Sequence, residues 1–155
     1  MMPAMSLRRI RGLTVASTLG MALALLGSPT ASQEVQDWST RAAQRIRMLQ
    51  QDSAPSHEPS GAINVGALDE SRSAVHPLVV ISGERWTVIA VCDGCGDMDV
   101  VAYDALGRPE ASDVRPGGDA VVHLAGNERF RVAVEMIDCR SAPCGYALQF
   151  FRQPD

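Results

Sequence analysis

The stretch that decides the fold is FRVAVEM, residues 130–136, in which Phe130, Val132, Val134 and Met136 alternate with Arg131, Ala133 and Glu135. Successive side chains of a strand point to opposite faces, so this period of two makes one face apolar and marks it as the core side. Tyr146, Leu148 and Phe150 repeat the pattern downstream. Upstream, Met98, Val100 and Ala102 repeat it, leaving Asp97, Asp99, Val101 and Tyr103 together on the opposite face. Short runs rich in Val, Ile, Phe and Tyr, punctuated by Gly, Pro and Asp, predict strands near 62–68, 75–81, 85–92, 98–103, 120–124, 130–136 and 146–151, with an eighth short strand near 110–114. Seven or eight strands with no helix between them predict an all-β, antiparallel, jelly-roll-like β-sandwich and argue against a parallel α/β sheet.

Ahead of the strands the period changes to that of a helix. Val35, Trp38, Ala42, Ile46 and Leu49 recur at steps of three or four, predicting a short amphipathic helix over 33–50 whose stripe packs on its own domain. Residues 51–60, rich in Ser and Pro, read as a linker, and 61–155 as the sandwich domain.

Residues 1–32 read as a signal peptide. Arg8, Arg9 and Arg11 form a basic start, the 15 residues Leu13 to Gly27 an apolar run, and Thr30-Ala31-Ser32 a small-residue cleavage site. That run falls short of the roughly 20 residues a membrane span needs. Ser28 after Leu26-Gly27 stands where a lipoprotein would carry cysteine. The expected location is the bacterial periplasm or the extracellular space, with no transmembrane segment after cleavage. Three of the 14 arginines leave with the leader while all 18 acidic residues remain, so the mature chain carries about −7 and no lysine. Scattered arginines on an acidic domain do not make the basic stripe that nucleic acid requires, and the domain's negative field disfavours anionic lipid surfaces.

The order Trp86-Thr-Val-Ile-Ala-Val91, Asp97-Met-Asp99-Val-Val-Ala-Tyr-Asp104 with Gly107 after it, Phe130-Arg-Val-Ala-Val134 and Tyr146-Ala-Leu-Gln-Phe150 resembles the bacterial pre-peptidase C-terminal domain over roughly residues 61–152. The resemblance implies a small secreted β-sandwich of a kind often attached to extracellular peptidases and linked to calcium and to polymer or matrix binding. Two features depart from that family. Asn127-Glu-Arg-Phe130 replaces the usual Gly-x-Tyr lead into the penultimate strand, and the cysteine pairs are additions. With no catalytic domain ahead of the module, its target is expected to be met in trans.

Cys92-Asp-Gly-Cys95 and Cys139-Arg-Ser-Ala-Pro-Cys144 are compatible with two local disulfides, with crossed pairing of the two turns, or with a four-thiolate zinc site. An oxidising compartment favours local structural disulfides. A redox role for Cys-x-x-Cys needs a helix N-terminus to stabilise the thiolate, and here a β pattern and Asp93 surround the pair. Asp93, Asp97, Asp99 and Asp104 form the densest acidic cluster and are the candidate calcium ligands. Cys95 and Met98 break any EF-hand pattern, and the favoured reading is that these aspartates shape and solubilise a turn, with no resident cofactor.

No Gly-x-Ser-x-Gly or His-Glu-x-x-His motif is present. His57 lies in the linker, His76 at a strand entrance and His123 on an outer face, so all three read as lone surface histidines and the chain as no enzyme. The expected function is that of an exported, non-catalytic binding module that touches an envelope carbohydrate or protein through Asp97, Asp99, Tyr103 and Arg108. The alternative is a structural or interaction protein, possibly stabilised by calcium, whose helix docks Trp38 on a partner while the disulfide-stapled sandwich serves as platform.

Overall fold

In chain order α1 (Ala31–Ser53) precedes β1 (Glu58–Leu68), β2 (Ser73–Val79), β3 (Arg85–Asp93), β4 (Cys95–Tyr103), β5 (Pro109–Asp113), β6 (Asp119–Ala125), β7 (Arg129–Cys139) and β8 (Cys144–Arg152). The computed structural model describes residues 31–81, 83–126 and 129–154. Of the expected signal peptide, 1–32, residues 1–30 lie outside them, while Ala31 and Ser32 belong to α1. No helix among the described residues is long and apolar enough to cross a membrane.

The strands form two four-stranded sheets, sheet A in the order β1-β8-β3-β6 and sheet B in the order β2-β7-β4-β5. Every ladder is antiparallel. This is the double Greek-key order of a jelly roll. Among consecutive strands only β4 and β5 are hydrogen-bonded neighbours; the others cross between sheets. The two sheets therefore share one core rather than stacking as independent layers.

The alternation at 130–136 lands as read. Phe130, Val132, Val134 and Met136 are buried, as are Met98, Val100 and Ala102 opposite them and Tyr146 and Leu148 across the sandwich. Burying side chains of this size stabilises by about 1.5–3 kcal/mol each before conformational entropy is subtracted.

Sheet A is apolar on both faces, because β3 also turns Ile89 and Val91 away from the core. Ala42 and Ile46 of α1 cover them, together with Ala147 and Phe151, and all six are at most 3% exposed. The helix stripe is thus spent on its own domain. Arg45 adds an ion pair to Asp119, with Nε 2.6 Å from Oδ1, and Arg41 one to Asp93. Partly exposed pairs of this kind contribute at most about 1 kcal/mol.

The expected linker at 51–60 is largely ordered structure. Helix α1 continues to Ser53, and β1 starts at Glu58. Pro55 stops the helix, since it lacks an N–H and disfavours helical backbone at Ala54. Gln50 then ties the turn down, its Nε2 donating to the carbonyls of Ala54 (3.0 Å) and His57 (2.9 Å). Ser/Pro composition looked like a spacer because the capping contact comes from a side chain outside the tract.

Cys92 bonds Cys95 and Cys139 bonds Cys144, so both cysteine pairs close locally. Cys92 and Cys144 belong to sheet A, Cys95 and Cys139 to sheet B. Each bridge therefore joins one sheet to the other at the same end of the sandwich. The chain turns that corner between β3 and β4 in the single residue Gly94, whose φ of +75° suits glycine.

Candidate functional site

With α1 on sheet A, no element among the described residues covers the outer face of sheet B. Antiparallel register builds its surface from β4 and β7: Asp99 stands opposite Glu135, Val101 opposite Ala133, and Tyr103 opposite Arg131. Strand β2 continues the surface, with Val75 opposite Ala133. A shallow hollow of ≈ 240 Å³ lies among Ser73, Val75, Tyr103, Gly107, Arg131, Ala133 and Glu135. Val75 and Val79 are 58% and 57% exposed beside it.

The polar groups of this face are coupled. The Tyr103 hydroxyl donates to Glu135 Oε1 at 3.3 Å. Desolvation, and then the neighbouring Glu135 carboxylate, push the Tyr103 hydroxyl above the usual tyrosine range. Asp99 and Glu135 are like charges placed directly across a ladder, which is unfavourable. Desolvation first, followed by Asp97, Glu135 and Asp113, raises the Asp99 carboxyl, and its Oδ1 is buried with no partner among the described residues.

Of the residues singled out from sequence, Asp97, Asp99 and Tyr103 share this strand face. Arg108 lies in the β4–β5 turn, where Asp104 engages it. Asp104 is 1% exposed and accepts from Leu106 N (2.8 Å), Arg108 N (2.8 Å) and Arg108 Nε (2.6 Å). Those bonds, led by the Arg108 amide, hold its carboxyl below the usual range.

Three of the four candidate calcium ligands take separate partners, and Asp99 Oδ1 has none among the described residues. Asp93 pairs with Arg41, Asp97 Oδ1 accepts from Gly117 N at 3.0 Å, and Asp104 closes its own turn. No group of three or more potential ligands converges among the described residues. A neighbouring carboxylate that sequence did not single out, Asp113, is 5% exposed. It accepts from Arg115 Nε (2.8 Å), Arg115 Nη2 (2.7 Å) and Val121 N (2.9 Å), which lower its pKa to about 2.

Trp38 is placed on the opposite side of the molecule, under α1. Its indole lies over Gly145 so closely that a Cβ there would come within 2.9 Å of Nε1. It belongs to the helix–sheet contact with Ile89 and Phe151. It does not join the Tyr103 face.

The histidines are not all lone surface groups. His76 alternates with Ala74 and Leu78 on the inner side of β2, and its Nε2 lies 3.2 Å from the Tyr146 hydroxyl of sheet A, with the two rings edge to face. Burial lowers the His76 pKa and raises that of Tyr146. His123 is on the outer face of β6, but its Nδ1 lies 3.0 Å from Thr87 Oγ1. Thr87 is fully buried, so this hydroxyl–imidazole pair orients the ring and does not present a nucleophile.

Sequence reasoning missed Ser73, Arg131 and Glu135 as partners of Tyr103. The outward placement of Arg131 and Glu135 followed from the alternation in β7, whereas the registers that bring β7 beside β4 and Ser73 of β2 beside Glu135 are long-range pairings that no local pattern encodes. A scan against models of known protein families finds no match to this chain, and a search of curated proteins finds no significant match either.

Proposed function

We propose that the chain is an exported, non-catalytic binding module whose open sheet B face takes a carbohydrate or protein of the cell envelope or extracellular space, with a saccharide as the favoured ligand. The carrying observation is the asymmetry of the sandwich. One outer face is sealed by α1, while the other presents Tyr103, Glu135 and Arg131 around a small hollow. An aromatic ring packs against the C–H faces of a sugar, and carboxylate and guanidinium groups exchange hydrogen bonds with its hydroxyls. Burial of the Ala42 and Ile46 stripe supports this face over a helix-docking role. The burial of Thr87 supports a non-catalytic reading. The leader at 1–32 and the paired cysteines support export. Kinship with the pre-peptidase C-terminal group is part of the proposal, supported by the Asp97-Met-Asp99 entry into a strand of a β-sandwich.

A glycan array probed with the exported protein tests it, followed by calorimetry on Tyr103→Ala and Arg131→Ala. Loss of binding in both variants with unchanged melting temperatures is the expected result. Retention of binding in both, or loss of binding in an Arg47→Ala variant of the helix, would overturn the assignment to this face.

A further inference from the structure

Beyond the C-terminal end of α1, the turn at 54–57 folds over one corner of sheet A. A cavity of ≈ 310 Å³ opens there, walled by Trp86, Leu124 and Ala125 and given its polar lining by His57, Arg85, His123 and Gln153. Three groups able to carry positive charge meet in a chain whose net charge is −4. No carboxylate lines the cavity with them. The nearby Glu84 is engaged by Ile81 N (3.1 Å), Trp86 Nε1 (3.0 Å) and Arg152, and it lines a separate groove with Glu58. Asp52 of α1 lines a different hollow. Among the described residues Arg85 makes no ion pair.

One further observation bears on a ligand. His123 is fixed from behind, its Nδ1 3.0 Å from the hydroxyl of Thr87. With that hydroxyl donating to Nδ1, Nε2 keeps its proton and is the ring's remaining donor.

We propose that this cavity binds a small organic carboxylate, with its anionic end between His57, Arg85 and His123 and its apolar body against Ala125. The volume is at the lower end of ligand pockets, about 300–1,000 Å³, which confines the ligand to roughly a single ring or a short branched chain. The predominance of apolar wall selects against inorganic anions. Burial, then His123 of β6 and Arg85 of β3, hold the His57 pKa below its ordinary value. A bound anion offsets the repulsion from His123 and Arg85, so binding takes up protons and strengthens as pH falls. This site is separate from the sheet B face and stands or falls independently of it.

The test uses the full mature chain with benzoate, its neutral isostere benzamide and inorganic phosphate, each followed by NMR of the histidine rings. The chain has three histidines, and His76, inside the sandwich, is the internal reference. At about 10 mM, tenfold above a 1 mM dissociation constant, benzoate should shift the His57 and His123 signals and leave His76 in place. Its affinity should weaken by up to about tenfold per unit rise in pH through the histidine range. Arg85→Gln should lower benzoate affinity by about tenfold or more with the melting temperature unchanged. Equal shifts with benzamide, equal affinity for phosphate, or unmoved His57 and His123 signals would each overturn the proposal, and the wild-type comparison holds even if the variant fails to fold.

Discussion

Cys95 of β4 and Cys139 of β7 are direct register partners, yet each forms its disulfide with a cysteine of the opposite sheet. The two bridges lie side by side as a double clamp across the open end of the sandwich. Gly118 packs against one of them, since a Cβ there would lie 2.9 Å from Cys92 Sγ, and Gly94 lies against the other, with a Cβ position 3.9 Å from Cys144 Sγ.

That adjacency predicts non-additive loss. By chain entropy each short loop contributes about 2 kcal/mol. Cys92→Ser/Cys95→Ser and Cys139→Ser/Cys144→Ser should each cost about that amount in denaturant unfolding. The quadruple variant should cost more than the sum, because with either bridge intact the two sheets stay joined at that end. Simple additivity would show that the bridges act separately.

Asp113 sets an acid limit on stability. Its folded pKa of about 2 lies below its value of 3.8 in an open chain, so the carboxylate contributes stability that is present above about pH 4 and lost as pH falls toward 2. The loss should amount to about 2 kcal/mol. Asp113→Asn should flatten that part of the pH–stability curve and lower stability at neutral pH by about 1–3 kcal/mol. An unchanged acid slope in the variant would refute it.

His76 acts in a higher window and with the other kind of charge. Folding disfavours its protonated form, so the unfolded chain binds the extra proton, and stability falls as pH drops through about 6.5 toward the lower folded value. His57 adds a slope of the same sign. His76→Gln should therefore reduce, without abolishing, the fall in melting temperature between about pH 7.5 and 5.5. Identical profiles for variant and wild type would place the proton elsewhere.

Ile46 reports on the helix as part of the domain. It is 0% exposed against sheet A, so Ile46→Ala should cost about 2–4 kcal/mol in a single cooperative transition. Met48→Ala, at a position 59% exposed on the same helix, should change stability by less than about 0.5 kcal/mol. A separate early transition for the helix in the Ile46 variant would contradict its integration.

How far the sequence could be read depended on where the deciding interactions lie. The alternation at 130–136 is local and dominated by burial, so β7 and the β4 positions Met98, Val100 and Ala102 were legible. In β2 the apolar residues Val75, Leu78 and Val79 occupy both parities, so period alone could not turn His76 inward; its place is set by pairing with Arg129–Glu135 and by Tyr146. Pro59 fell in the expected linker and Pro77 in the expected strand 75–81, and both sit on edge strands, where a missing donor is tolerated. Tyr103 was legible as outward-facing, whereas its alliance with Glu135 rests on a register joining residues far apart in sequence. The His57 cavity was hidden for the same reason, since its polar groups come from a turn, β3 and β6.

The place of β8 in sheet A has a consequence in time. It lies between β1 and β3 and supplies Ala147 and Phe151 to the floor beneath α1. Sheet A therefore cannot assemble until the last strand has been delivered, and the N-terminal helix has no completed surface to settle on before then. A chain halted anywhere before Cys144 would leave β1 without its hydrogen-bonding partner and the Ile89–Val91 floor half built. Such a chain exposes unpaired edges and apolar surface, the features that recruit chaperones and seed aggregates. The last strand is thus the step that commits the whole molecule to folding.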